Sequence, residues 1–180
     1  FVVPFEKIGN QVQGGIFELP VPRFSTGVMR GRFNPGDGQL YLCGLSAWGS
    51  TPPQLGGLYR IRKVDQPMVI PVGIKATKQG IELTFTDELD AKSVADTAHY
   101  TVKTWDLLRS RKYGSKHLNE QTIKVTQAKL GQDKKTVLLS IPEIKPTWGM
   151  EIQYQVKENN GKDISGLVQN TIHQLGKSKN

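Results

Sequence analysis

The sequence has one cysteine, Cys43, in 180 residues. A single cysteine excludes an internal disulfide, a multi-cysteine zinc site and the Cys-x-x-Cys-His attachment of a c-type haem. Within the run LYLCGL, Cys43 reads as a small buried hydrophobe, because a catalytic thiolate would need a base and an electropositive neighbour that the local sequence does not supply. Aromatic residues are sparse, at 8%. No apolar run approaches membrane-spanning length, and no long stretch repeats with helical period. The chain opens FVVPFEKIG, without an initiator methionine, a charged leader or a signal core, and is expected to be a mature segment or a fragment. A phosphate-cradling strand-to-helix turn is missing, since Gly56-Gly57 enters a strand. So is the nucleophile elbow, because Gly44-Leu45-Ser46-Ala47-Trp48 lacks the second glycine and a following helix. The three histidines, His99, His117 and His173, are too scattered for a metal site, and none is expected.

What the chain does have is turn-forming residues. Nineteen glycines and ten prolines, with 37% hydrophobic and 22% charged residues, fit a folded, loop-rich all-β chain better than a helical bundle or a disordered tail. The formal net charge of +8 is spread thinly, with 7 basic and 4 acidic groups in residues 1–70 and 17 and 12 in residues 71–180. No basic run interleaved with aromatics spans a strand face, so a solvated basic surface is expected and no nucleic-acid partner.

The stretch Gly31–Arg62 contains two strand-like runs, GQLYLCGL after the turn Asn34-Pro35-Gly36-Asp37-Gly38, and GGLYRIRK after Gly56-Gly57. The oxygen donors around Asp37 suggest a calcium loop, but the further carboxylates are absent and a hairpin turn is the better reading. Strands are also expected at Gly15–Leu19 and Thr26–Arg30, separated by Pro20 and Pro22, which deny ladder donors. Four strands cannot close a domain of their own, so residues 1–65 need either an upstream chain or another subunit as partner. A Pro-flanked linker, residues 66–72, follows. From residue 73 to 180, seven short strands are expected, at Gly73–Thr77, Ile81–Thr86, Tyr100–Thr104, Thr122–Leu130, Thr136–Ile141, Met150–Lys157 and Leu167–Leu175. That count and spacing fit an immunoglobulin-like sandwich. Ile81, Leu83 and Phe85 share one face, as do Ile152, Tyr154 and Val156. Asp90 is placed to cap one helical turn at Ala91–Val94.

The phrase FTDELDAKSVADTAHYTV resembles the signature of bacterial Ig-like modules. Gly31–Arg62 resembles a final blade of soluble glucose and sorbosone dehydrogenase-like β-propellers, whose blades repeat a phrase like F-x-P-x-D-G-x-L-Y and then G-x-I/L-Y-R-I. With YGSKH and WGMEI, nearly the whole chain is similar to the C-terminal part of large exported bacterial proteins that join such a propeller to an Ig-like module and often to a c-type haem domain. The resemblance implies a periplasmic or secreted location and a haem c or quinone elsewhere in the parent protein. It implies no cofactor in this segment, because most of the propeller and the haem motif are absent.

Candidate binding residues follow from chemistry and from that resemblance. Lys103–His117, KTWDLLRSRKYGSKH, combines Trp105, Arg109, Tyr113 and His117, a set suited to an acidic sugar or a haem propionate through arginine, with ring stacking on Trp and Tyr. As a structural feature the same stretch would be a long loop packed against a neighbouring domain. Met150 suggests an axial haem ligand, although a strand-start methionine more often packs in a core. In an intact propeller, Arg30 and Trp48 would lie near a rim site. The reading reached is a non-catalytic structural and recognition portion of an exported protein acting in carbohydrate metabolism or binding. The alternatives are a segment lining the site of a propeller sugar dehydrogenase, with Arg30, Trp48 and His117 contributing, and an independent carbohydrate-binding module centred on Trp105.

Overall fold

In a computed structural model of the chain, residues 1–46, 53–62, 64–65 and 68–177 are described. In chain order the strands are β1 (Phe5–Ile8), β2 (Gln11–Phe17), β3 (Gly27–Phe33), β4 (Leu40–Leu45), β5 (Gly56–Ile61), β6 (Pro71–Thr77) and β7 (Gly80–Phe85). A short helix, α1 (Ala91–Ala95), precedes β8 (Tyr100–Leu107), β9 (His117–Ile123), β10 (Gln127–Leu130), β11 (Thr136–Ser140), β12 (Thr147–Lys157) and β13 (Asp163–Ile172). The protein is all-β with antiparallel sheets. It divides into two units, Phe1–Leu19 with Met68–Asn180, and Pro20–Pro67.

The first unit is a sandwich. A six-stranded sheet, β1-β2-β13-β12-β8-β9, faces a four-stranded sheet, β10-β11-β7-β6. The period-2 alternation accounts for the core, since Ile81, Leu83 and Phe85 of β7 and Met150, Ile152, Tyr154 and Val156 of β12 are all buried in one cluster. Phe85 meets Tyr154 edge to face, with centroids 5.3 Å apart. Burial pushes both core phenols up, that of Tyr154 to about 12; the Tyr100 hydroxyl donates to Val94 O at 3.0 Å. Asp90 caps α1 as its sequence suggests, its carboxylate accepting from Ser93 N at 2.7 Å.

Two differences from the sequence reading have clear causes. The stretch expected as one strand at residues 122–130 is two strands in different sheets, β9 ending at Ile123 and β10 beginning at Gln127. The chain crosses between layers at Lys124–Thr126 with Val125 buried, a step that leaves no mark in local periodicity. The first nineteen residues, read with the region before residue 65, instead belong to the sandwich unit, because β2 pairs with β13 in the register Phe17↔Val168 to Gly14↔Thr171.

Gln13 anchors that long-range pairing. It is 6% exposed, and its amide makes four hydrogen bonds. Nε2 donates to Glu6 Oε1 at 2.7 Å and Gln174 O at 2.8 Å, and Oε1 accepts from His173 N at 2.8 Å and Gln174 N at 2.9 Å. Glu6 Oε1 also accepts from Ala76 N at 2.8 Å on the edge strand β6. Removing the amide leaves a buried side chain without its four hydrogen bonds and its partly buried partners unpaired. Gln13→Leu is therefore expected to lower stability by about 2–3 kcal/mol, read as a drop in the urea midpoint at unchanged slope. A variant within experimental error of the parent would refute the anchoring role.

The second unit is the meander β3-β4-β5. Its turn is the expected hairpin turn. Gly38 N donates to Asn34 O at 2.7 Å, and Gly38 adopts φ +67. Asp37 accepts from Gln39 N at 2.9 Å and from the Tyr41 hydroxyl at 2.8 Å. On one face, Phe24 packs on Tyr59 with centroids 4.8 Å apart, and Thr26 Oγ1 lies 2.9 Å from the Tyr59 hydroxyl. Among the described residues of this unit only Thr26 is buried, so the sheet has no apolar core of its own. Cys43, expected to be buried, is exposed. It sits on the opposite face of β4, where no described residue of the unit forms a second layer over it.

Candidate functional site

The stretch Lys103–His117 is not a free loop. It forms a hairpin in which β8 and β9 pair through Leu107↔His117 and Asp106↔Leu118, with an irregularity between Thr104 and Asp106. The neighbouring strand β12 is also irregular, between Thr147 and Met150. Both irregularities lie near the pairing of Trp105 with Gly149, where the β8–β12 register itself is unbroken. Tyr100, Val102 and Thr104 point into the core, whereas Trp105 is turned onto the outer face of the six-stranded sheet and still reaches only 8% exposure.

Gly149 makes that placement possible. A Cβ on it would stand 2.2 Å from Trp105 Cε2, so the indole fills the space of the absent side chain. His117 stacks on the same indole, with centroids 4.1 Å apart and planes 14° from parallel. Its Nδ1 lies 3.0 Å from Glu120 Oε2, while Lys103 Nζ donates to Glu120 Oε1 at 3.3 Å. The hydrogen bond with His117, followed by that from Lys103, holds the Glu120 carboxyl below its usual range. These groups are solvated, so the chain of contacts orients His117 more than it stabilises the fold.

Trp148 is the exposed counterpart. It is 46% exposed. The Arg109 guanidinium lies 5.3 Å from its ring centroid, and His173 meets it edge-on at 5.7 Å. Its backbone is fixed by the Thr171 hydroxyl, which donates to Trp148 O at 2.8 Å. Between the two tryptophans and the N-terminal strands runs a groove of about 520 Å³, walled by Phe5, Val12, Ile16, Trp105, Leu107 and Trp148. Its apolar walls and few polar groups suit a ligand held by ring stacking and shape rather than by charge.

Of the residues singled out in the sequence, Trp105 and His117 touch each other, and Arg109 joins them at the groove through Trp148. Tyr113 is fully exposed at the hairpin tip and contacts none of them. Arg30 belongs to the three-stranded unit, on β3, where its guanidinium donates to Met29 O at 3.2 Å. Trp48 lies outside the described residues. Met150 is completely buried in the core. His99 is engaged locally, its Nδ1 2.8 Å from Ser93 O. Among the described residues no group of three or more His, Cys, Asp or Glu side chains is placed to hold a metal ion. The sequence reading missed Trp148 as a platform and missed the N-terminal wall altogether. The pair Trp148-Gly149 was a usable signal, since a glycine beside an aromatic in a strand often marks a ring lying against backbone.

Comparison with family models, curated proteins and solved structures finds no match to the chain.

Proposed function

We propose that the chain is a non-catalytic recognition portion of an exported protein acting on or binding carbohydrate, and that the sandwich takes the sugar at the outer-face groove. The observation that carries this reading is Trp148, an indole that is half exposed, rigidly seated and flanked by Arg109 at the rim of an apolar groove. A pyranose presents an apolar C–H face that packs on such a ring, while hydroxyls at the sugar's edge can accept from a guanidinium. Trp105 is the supporting element, since its ring is taken up by His117 and Gly149. The two facing sheets with crossovers between them support an Ig-like sandwich. The coreless meander supports propeller-blade material completed by further chain or another subunit.

The test is affinity electrophoresis of the full chain through gels containing neutral polysaccharides of differing linkage, followed by calorimetry on the retained one. Trp148→Ala is expected to lose at least about tenfold in affinity with an unchanged melting temperature, because the residue stands at the surface and its neighbours keep their packing. No retention by any polysaccharide, or full retention by the variant, would reject the reading.

A further inference from the structure

The thin spread of charge along the sequence gives way to a concentration in one unit. Residues 20–67 contain five of the seven arginines and six basic groups in all, against two acids, Asp37 and Asp65, and so carry half of the net charge of +8. Strand pairing gathers the arginines further. Arg32 faces Tyr41, and Tyr41 faces Arg60, so one row across the sheet reads Arg, Tyr, Arg. Two residues along, the next row on the same face reads Arg30, Cys43, Leu58. All three arginines are exposed, and Leu58 is 75% exposed.

Like charges on adjacent rows repel, and a sheet without a core gains nothing from placing them together. Among the described residues, the guanidinium groups of Arg30 and Arg32 each make one hydrogen bond, to Met29 O and Gly31 O. Among the described residues no carboxylate lies within ion-pair distance of Arg30, Arg32 or Arg60. Asp37 senses the charge of Arg60. The Gln39 N–H holds its carboxyl below the usual range, with smaller help from the Tyr41 hydroxyl and the charge of Arg60. Asp37 is thereby committed to the turn and to fixing the Tyr41 ring between the two arginines.

We propose that this face of the β3-β4-β5 sheet is a docking surface for an acidic polysaccharide, carrying carboxylate or sulfate groups. Three planar guanidiniums offer paired donors to planar or tetrahedral oxyanions in a way that a lysine cluster does not. Arg30 and Arg32 are about 6.7 Å apart along the strand, and Arg32 and Arg60 about 9.5 Å apart across two strand spacings, a lattice suited to charges repeated along a polymer. The strip of Tyr41, Cys43 and Leu58 between them offers apolar surface to sugar rings. A second copy of the chain is disfavoured by the like charge of the face. Nucleic acid is disfavoured because a single tethered tyrosine is a poor platform for successive bases. The surface lies wholly in residues 20–67.

The test uses the full chain with polygalacturonate and dextran sulfate, with uncharged dextran and a single-stranded oligonucleotide as comparisons. The expected result is binding to both acidic polymers and not to dextran, weakening as salt rises from about 0.05 to about 0.3 M. The triple variant Arg30→Gln, Arg32→Gln, Arg60→Gln is expected to lose roughly tenfold or more, while Trp148→Ala binds the acidic polymers as the parent does. The triple Arg→Lys variant keeps both charge and fold, and is expected to fall roughly threefold or more through loss of paired donors. Binding unchanged in the glutamine variant or, should that variant fail to fold, unchanged in the lysine variant would overturn the proposal. So would absence of binding to either acidic polymer, or tighter binding to the oligonucleotide.

Discussion

Replacing Gly80 by alanine is expected to cost the sandwich ~4 kcal/mol or more, enough to leave much of the chain unfolded at ambient temperature. Gly80 closes the β6–β7 hairpin at φ +147, where an L side chain is strained. Space is the larger problem. An added Cβ would stand 1.8 Å from Leu139 O and 2.9 Å from Ile141 N, both backbone atoms of the adjoining segment. Neither can yield without breaking the ladder, because Gly80 pairs with Ser140 and Ile141 N donates to Gln79 O at 2.9 Å. β7 lies between β11 and β6, so a displaced β7 separates the four-stranded sheet from within. The control is Gly161→Ala. Gly161 has φ +88 with nothing within 4 Å of the added carbon, so only the backbone penalty of roughly 1–2 kcal/mol applies. Denaturant melts of the two variants compare clash with conformation directly, and equal losses would show the contact argument to be wrong.

Trp105→Ala is the second large effect, with an expected loss of about 3–5 kcal/mol. The indole is almost fully buried although it lies on the outer face of a sheet, held between Gly149 and His117. Its removal opens a cavity over a backbone that has no side chain to collapse into it, and leaves His117 without its stacking partner. Under the proposed function, sugar binding disappears together with stability, because the same ring forms a wall of the groove. Trp148→Ala makes the contrast, with binding lost and stability kept. A melting temperature for Trp105→Ala within about 2 °C of the parent, less than 1 kcal/mol for a chain of this size, would contradict the seating described here.

The contrast between the two tryptophans shows how far the residues alone could be read. The sequence marked Trp105 and His117 as chemically loaded, and the hairpin register does bring them together. It offered Trp105 as the stacking surface, yet that ring is spent on His117 and Gly149, and the available face belongs to Trp148. The difference comes from the register that sets Trp105 against Gly149, on strands about forty positions apart in the chain. Cys43 teaches the same lesson. Its apolar neighbours suggested burial, but burial needs a second layer, and the described residues of its unit supply none on that face.

What the amino-acid order determined by itself was local. Alternation in β7 and β12 set which side chains enter the core, Asp90 set the start of α1, and Asn34 to Gly38 set a turn, because each depends on neighbours within a few residues. Tertiary structure alone decided the rest. It seated the N-terminal strands beside β13 through Gln13, buried Trp105 while leaving Trp148 exposed, and gathered Arg30, Arg32 and Arg60 onto one face. Period-2 patterning specifies a face but not the strand that will lie beside it, and each of these features depends on which strand that is.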